Sequence, residues 1–175
     1  NQLGAPVDVY GWETHATSTY GRCPNGTGAF VTMSSVTKGA INDCRPQVKI
    51  NEVESNGGTP GDWIELLNVG TTPVNLSGFI VKDNDNTRTT ALPVGTILAP
   101  GAFFVIEEAV LGFGLGVADA ARIFDPAGVL IDSIAWTAHA PITLGRCPDG
   151  SGVFSNTTRS TKAAANDCSA ALRIN

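Results

Sequence analysis

A ten-residue motif occurs twice in this sequence, and its spacing constrains the fold more than any other feature. The later copy, residues 145–154, reads GRCPDGSGVF and is followed by a second cysteine at Cys168. The earlier copy, residues 21–30, reads GRCPNGTGAF and is followed by Cys44. The two copies are 124 residues apart (147 − 23 and 168 − 44) with no gap between the cysteines. Self-similarity at a fixed period is typical of an array, and here the period is a whole domain.

The similarity extends on both sides of the motif and divides the chain into three parts. Residues 7–51 align with residues 131–175, and 20 of the 45 aligned pairs are identical. We therefore expect residues 1–44 to be the C-terminal fragment of a preceding repeat, with its closing strands and a disulfide. Residues 45–168 are then one complete domain, and residues 169–175 the first strand of a following repeat.

The four cysteines form two pairs with equal spacing (44 − 23 and 168 − 147 are both 21). Zinc sites favour closely spaced pairs such as C-x2-C, which the sequence lacks. The spacing predicts disulfides Cys23–Cys44 and Cys147–Cys168, which are typical of an oxidising, extracellular compartment. Each would close a loop of about 22 residues and contribute about 3 kcal/mol. Four buried free thiols are the alternative.

Short segments that alternate or are apolar follow one another along the chain, separated by turns rich in Gly, Pro, Asn and Asp. Residues 7–12 alternate and predict a strand. Residues 102–107 are almost all apolar and predict a strand buried on both faces. The tetrad at residues 125–128, DPAG, predicts a hairpin. Seven to nine strands with no convincing helix indicate an all-β sandwich.

Charge and hydropathy exclude two classes of partner. The formal net charge is −5, whereas nucleic-acid binding depends on basic side chains that neutralise phosphates. No apolar run approaches the ~20 residues that a membrane-spanning helix needs. We therefore expect neither a nucleic-acid partner nor a membrane span.

Several segments, in this order, resemble the lamin tail domain of the bacterial type. They are Ile50-Asn51-Glu52-Val53, the DWIEL of residues 62–66, the VNLSGF of residues 74–79, the LAPG turn at 98–101, the loop FGLG at 113–116, residues 125–133 and the GRCPDGSG of residues 145–152. The resemblance implies an immunoglobulin-like β-sandwich. In bacteria such domains resemble accessory modules of secreted or surface proteins, often beside hydrolases or nucleases. The family motif includes no catalytic residues, so none is assigned here.

Two groups of acidic residues are candidates for chemistry. Glu52 and Glu65 could form the carboxylate pair that a glycosidase requires, but a structural role, capping loops and bonding backbone amides, is favoured. Asp83 and Asp85 offer oxygen ligands at alternate positions, as Ca²⁺ prefers. Their loop lacks the later Glu and the Gly of an EF-hand, so a solvated turn is favoured over a weak calcium site.

Aromatic and histidine residues give weaker signals. Trp63 and Trp136 could stack on sugars, although tryptophan in a sandwich more often belongs to the core. His15 and His139 occupy equal positions in the two copies, and one histidine per repeat favours a surface or loop role over a metal site.

The sequence therefore predicts a non-catalytic, extracellular lamin-tail-type module of a tandem array, without cofactor or metal, that serves adhesion, targeting or spacing for a larger secreted or surface protein. The expected partners are neighbouring repeats, or another copy of the chain bound by strand addition, and a protein or cell-surface glycan that the sequence does not identify. The alternative is a glycan- or calcium-binding accessory module of a secreted hydrolase or nuclease.

Overall fold

A computed structural model describes residues 4, 6–16, 19–33 and 36–168. The chain divides into two compact units, Asn1–Arg45 (unit 1) and Pro46–Asn175 (unit 2). Residues 169–175, the expected first strand of another repeat, lie outside the described residues. The predicted all-β class is confirmed.

Strands account for almost all the regular structure. Unit 1 has a hairpin of β1 (Tyr20–Cys23) and β2 (Ala29–Thr32). In the described part of unit 2 the strands are β3 (Val48–Glu54), β4 (Trp63–Asn68), β5 (Val74–Asn75), β6 (Ile80–Lys82), β7 (Thr89–Ala91), β8 (Ile97–Leu98), β9 (Phe103–Glu107), β10 (Asp119–Phe124), β11 (Leu130–Trp136), β12 (Leu144–Cys147) and β13 (Val153–Asn156). One helical turn, α1 (Glu108–Leu111), follows β9 and ends at Gly112, whose left-handed φ of 76° suits glycine.

Unit 2 is a sandwich of two antiparallel sheets. One sheet has the strand order β13-β12-β3-β4-β9 and the other the order β11-β10-β6-β7. Together they hold nine strands, the upper end of the predicted range, and β5 and β8 form a separate two-stranded ladder. Side chains of β11 alternate between exposed and buried positions, as in a strand with one face on the core, whereas β3 and β4 are buried at almost every position.

The core lies between the two sheets and is aliphatic. Each sheet contributes fully or almost fully buried side chains: Val48, Ile50, Val53, Ile64, Leu66 and Ile106 from one, and Val81, Ala121, Ile123, Ile131 and Trp136 from the other. Burial of each large aliphatic side chain contributes about 2 kcal/mol. Strand β4 is buried at all six positions because both of its faces are covered. Ile64 and Leu66 face the core, and on the other face Lys162 lies over Trp63 and Ala163 bonds Glu65.

The prediction that residues 102–107 form a strand buried on both faces was wrong about the burial. The segment does form β9, but only Ile106 is buried and its neighbours are half-buried. Strand β9 pairs with β4 alone and is the edge of the five-stranded sheet. An apolar run is typical of a central strand, but the position of a strand in the sheet is set by pairing partners that the run itself does not specify.

The prediction of a strand at residues 7–12 was also wrong: the described structure has no strand there. The aligned segment in unit 2, residues 131–136, belongs to β11 and pairs with β10. The repeat begins at Val7, so the described part of unit 1 has no counterpart of β10. An alternating segment without a neighbouring strand leaves its backbone groups unpaired and stays irregular.

Both disulfides are formed in the pairing that the equal spacing predicts. Cys23 is bonded to Cys44 with Cα atoms 5.5 Å apart, and Cys147 to Cys168 with Cα atoms 5.4 Å apart. Each joins the first strand of a hairpin to a segment about 20 residues later, so the two units carry the same cross-link.

The two disulfides offer a matched pair of variants. Replacing Cys147 and Cys168 by Ser together should lower the free energy of unfolding of unit 2 by about 3 kcal/mol, because the unfolded chain gains loop freedom. Replacing Cys23 and Cys44 by Ser should leave this free energy unchanged, because they belong to the other compact unit. Urea unfolding followed by circular dichroism measures both. Equal losses in the two variants would contradict the division of the chain.

Candidate functional site

Two carboxylates lie opposite each other in the five-stranded sheet. Glu52 on β3 is paired in register with Glu65 on β4, and neither side chain is exposed to solvent. Like charges directly across a strand pair are destabilising, and a buried carboxylate must accept hydrogen bonds to be tolerated. Most of the donors come from residues 143–168, which we call the closing segment.

Glu65 receives one hydrogen bond at each carboxylate oxygen. Asn51 Nδ2 donates to Oε1 at 3.2 Å, and the backbone N–H of Ala163 donates to Oε2 at 2.6 Å. Burial nevertheless raises the pKa of Glu65 to about 7, against these two hydrogen bonds, with a smaller contribution from the charges of Glu52 and Asp149. The carboxyl is therefore poised to titrate near neutral pH.

Glu52 is held by two threonines of the closing segment. The hydroxyl of Thr143 donates to Oε1, and the hydroxyl of Thr161 donates to Oε2 at 2.8 Å. The backbone N–H of Thr161 adds a third bond to Oε1 at 3.2 Å. Both threonines are buried, so these donors are removed from water together with the carboxylate.

Asn51 connects β3 to the turn of the hairpin β12–β13. The β3–β4 register shifts between Ile50 and Glu52, which marks a bulge at Asn51. Its fully buried side chain accepts the N–H of Gly150 at 2.9 Å and donates to Asp149 at 3.0 Å. Its backbone carbonyl accepts from Asn166 Nδ2 at 3.1 Å.

Arg146 and Asp132 complete the edge of β3 where strand pairing stops. Strand β12 pairs with β3 at Glu52 and beyond, so Ile50 has no strand partner on that side. Arg146 Nε instead donates to the carbonyl of Ile50 at 2.8 Å, and the Ile50 N–H donates to Asp132 at 2.9 Å. The guanidinium also bonds Asp132 at 3.0 Å and lies 4.4 Å from the ring centre of Phe154.

Two small residues let the closing segment approach β3 and β4. A Cβ on Gly145 would lie 2.8 Å from the Thr157 methyl and 2.9 Å from Asn166 Nδ2, so any side chain there displaces the donors. Ala163 has a positive φ of 62°, a conformation unfavourable for alanine, and its N–H points at Glu65. Its counterpart in unit 1 is Gly39, with a φ of 77°.

The predicted calcium residues bond to protein donors. Asp83 is fully buried and accepts from Arg88 Nη1 at 2.9 Å and from the Asp85 N–H at 2.7 Å. Hydrogen bonds from the backbone N–H and then the hydroxyl of Thr87 hold the pKa of Asp85 below its ordinary value. Calcium binding at this loop remains a prediction, and it would require Arg88 to release Asp83.

The remaining candidates lie apart from one another. Trp63 and Trp136 are both buried, and Trp136 Nε1 donates to the carbonyl of Gly116 at 2.9 Å. His139 contacts the Ser55 hydroxyl at 3.1 Å. Across the described ranges, no group of three or more His, Cys, Asp or Glu side chains is arranged to hold a metal ion. No helix within these ranges is long and apolar enough to cross a bilayer.

The two-sheet sandwich and its satisfied carboxylates define an immunoglobulin-like module in which Glu52 and Glu65 are closed off from any substrate. A model of the lamin tail domain matches residues 44–138, more than half of the sequence. The chain therefore belongs to the lamin tail domain family, whose module is not an enzyme. No curated protein matches the chain significantly.

Sequence reasoning identified the two carboxylates but missed their partners. Glu65 does bond a backbone amide, as expected, whereas Asn51, Arg146, Asp132 and Asn166 were not singled out. A signal for all four was present, because each is identical to its counterpart in the alignment of residues 7–51 with residues 131–175. Which strand they contact is not visible in that identity.

The buried Glu65 predicts an unusual dependence of stability on pH. Its pKa is about 7 in the folded chain against an ordinary 4.5, so its stabilising contribution is complete below pH 4.5 and is lost as the pH rises through 7. The loss is on the order of 2 kcal/mol. Urea unfolding between pH 4.5 and 8 measures this loss.

The variant Glu65→Gln should lack this component of the pH profile, since it does not titrate. Glu13→Gln, at an exposed position, serves as the control and should keep the profile of the unsubstituted chain. If Glu65→Gln and the unsubstituted chain differ by the same amount at every pH, Glu65 is not the titrating group.

Proposed function

We propose that this chain is a structural, bacterial-type module from a tandem array that works outside the cell, giving spacing, adhesion or targeting to a larger secreted or surface protein. The single observation that carries this proposal is the duplicated, disulfide-bonded closing segment. One copy seals the sandwich of unit 2 and the other stands 124 residues earlier with the same hairpin and cross-link.

The extracellular location is supported by the two disulfides. Both are formed, and no cysteine remains free. Disulfides persist in oxidising compartments and are rare where thiols are kept reduced. A module exposed to proteases and dilution also benefits from cross-links that limit the unfolded state.

The structural role is supported by the way in which unit 2 is closed. The closing segment, residues 143–168, is held by buried hydrogen bonds to β3 and β4 and by a covalent loop. Glu52 and Glu65, which sequence analysis offered as a carboxylate pair, are engaged in this closure and are hidden from solvent. Such a unit is suited to carry other surfaces rather than to turn over a substrate.

Intact cells that express the protein allow a direct test. Free thiols are blocked with iodoacetamide, surface proteins are released with protease, and the peptides are analysed by mass spectrometry. We expect peptides joined through Cys147–Cys168 and Cys23–Cys44 in the released fraction, along with further peptides that repeat the GRCP motif. A cytosolic thiol protein from the same cells serves as the control and should be alkylated and retained.

Alkylated Cys147 and Cys168 in the retained fraction would contradict the extracellular role. Released peptides that contain no further copy of the motif would contradict the array and leave the location standing.

A further inference from the structure

The closing segment of unit 1, described at residues 19–33 and 36–44, has the same internal contacts as residues 143–168 of unit 2. Arg22 Nη1 donates to the Gly28 carbonyl at 2.9 Å, and Arg146 Nη1 donates to the Gly152 carbonyl at 3.0 Å. In both, the guanidinium lies 4.4 Å from the ring centre of the hairpin phenylalanine. Asn42 Nδ2 donates to the Arg22 carbonyl at 3.1 Å. Residues 19–44 are therefore already shaped to close a sandwich.

The ion pair of this segment is also formed in both copies. Arg22 Nη2 bonds Asp8 at 2.7 Å, and their counterparts Arg146 and Asp132 bond at 3.0 Å. In unit 2 this pair forms hydrogen bonds with the backbone carbonyl and N–H of Ile50. In unit 1 the arginine and aspartate are in place, and the strand that they would serve is not among the described residues of that unit.

The donors that face β3 and β4 in unit 2 have counterparts without an acceptor. In unit 2 the Arg146 Nε, the Gly150 N–H and the Ala163 N–H donate to Ile50, Asn51 and Glu65, respectively. Their counterparts in unit 1 are Arg22 Nε and the N–H groups of Gly26 and Gly39, and none of the three meets an acceptor among the described residues. These are the groups that a strand like β3 and a carboxylate like Glu65 would satisfy.

Apolar side chains show the same difference. Ile131 and Trp136 are 7% and 8% exposed in the core of unit 2, whereas their counterparts Val7 and Trp12 are 85% and 59% exposed. Trp12 lines an open groove of unit 1 with three further aromatic residues, Tyr10, Tyr20 and Phe30. An exposed apolar surface of this kind marks an interaction site.

We propose that residues 7–44 complete the sandwich of a second copy of this domain, docking on the strands of that copy that correspond to β3, β4 and β10. The proposal rests on the proposed tandem array, and it names the partner of unit 1 and the groups that recognise it. Arg22, Gly26 and Gly39 bind the copy's Ile50, Asn51 and Glu65, while Val7 and Trp12 fill the positions of Ile131 and Trp136.

The occupant must be the body of another repeat that lacks a closing segment of its own, because the equivalent site of unit 2 is filled. The acceptors on β3 and β4 of unit 2 already bond residues 143–168. Two closing segments cannot bond the same acceptors at the same time. A body that lacks its own closing segment, such as the one that would precede Val7 in an array, has the site free.

A fused chain that carries such a body before Val7 tests the proposal. Residues 46–130 are placed directly before residues 7–175, so that Leu130 is followed by Val7 as it is by Ile131 in unit 2. The downstream copy, residues 46–168, is the internal control for folding. Trp12 emission is isolated by subtracting the Trp12→Phe variant from each chain, and its accessibility is measured by acrylamide quenching.

We expect acrylamide to quench the emission of Trp12 in the natural chain. In the fused chain this quenching should fall to about half or less, because burial excludes the quencher. The fused chain should show a second cooperative unfolding transition. In the fused chain, Arg22→Ala should lower the upstream midpoint by about 5 °C, as the matched variant Arg146→Ala lowers the downstream one. In the natural chain, Arg22→Ala should leave the unfolding of residues 46–168 unchanged.

Three results would overturn the proposal: a Trp12 as quenchable as in the natural chain, an upstream body that stays unfolded beside a folded downstream copy, or an upstream transition insensitive to Arg22→Ala. Because the measurement is made in solution on purified chains, its failure would leave the extracellular role untouched.

Discussion

The buried pair of Glu52 and Glu65 sets a requirement that the strands carrying it do not meet by themselves. The two residues face each other across β3 and β4 with no access to water. Most of their hydrogen-bond donors, at Thr143, Thr161 and Ala163, come from about 80 to 110 positions further along the chain. The sandwich is therefore chemically complete only when the closing segment is in place.

The polar contacts outweigh the cross-link in holding this segment. A disulfide of this loop length contributes about 3 kcal/mol, whereas each hydrogen bond to a charged group contributes about 1.5–3 kcal/mol. Glu52 alone accepts three hydrogen bonds from the segment. Such bonds also require the correct register, since a shift of one residue in β12 would turn Gly145 away from Glu52 and bring a side chain into its place.

Much of the sandwich could be predicted from local pattern, and the failures have a common cause. The disulfides follow from equal spacing, and the strands β3, β4 and β11 follow from short apolar segments between turns. Residues 7–12 have the same pattern as β11 but form no strand, because pairing needs a neighbour that pattern does not provide. The burial of β9 failed for the same reason. Asn51 was missed because its role depends on a bulge and on Gly150, 99 positions away.

The difference between the two copies of the closing segment bears on how neighbouring repeats would assemble. In unit 2 the closing segment is buried against β3 and β4, whereas in the described part of unit 1 the matching donors meet no acceptor and Trp12 is exposed. In an array of such units, each closing segment would lie at the junction between two repeats, next to the body that it binds. No added linker or partner would be needed there.

Amide hydrogen exchange on the natural chain tests the closure most directly. The N–H groups of Gly150 and Ala163 donate to Asn51 and Glu65 in a buried interface, whereas their counterparts at Gly26 and Gly39 meet no such acceptor in the part of the chain that the structure describes. After correction for intrinsic rates, the first pair should exchange on the order of a thousandfold more slowly than the second. Equal exchange in the two pairs would show that the closing segment is not held by these carboxylate and amide groups.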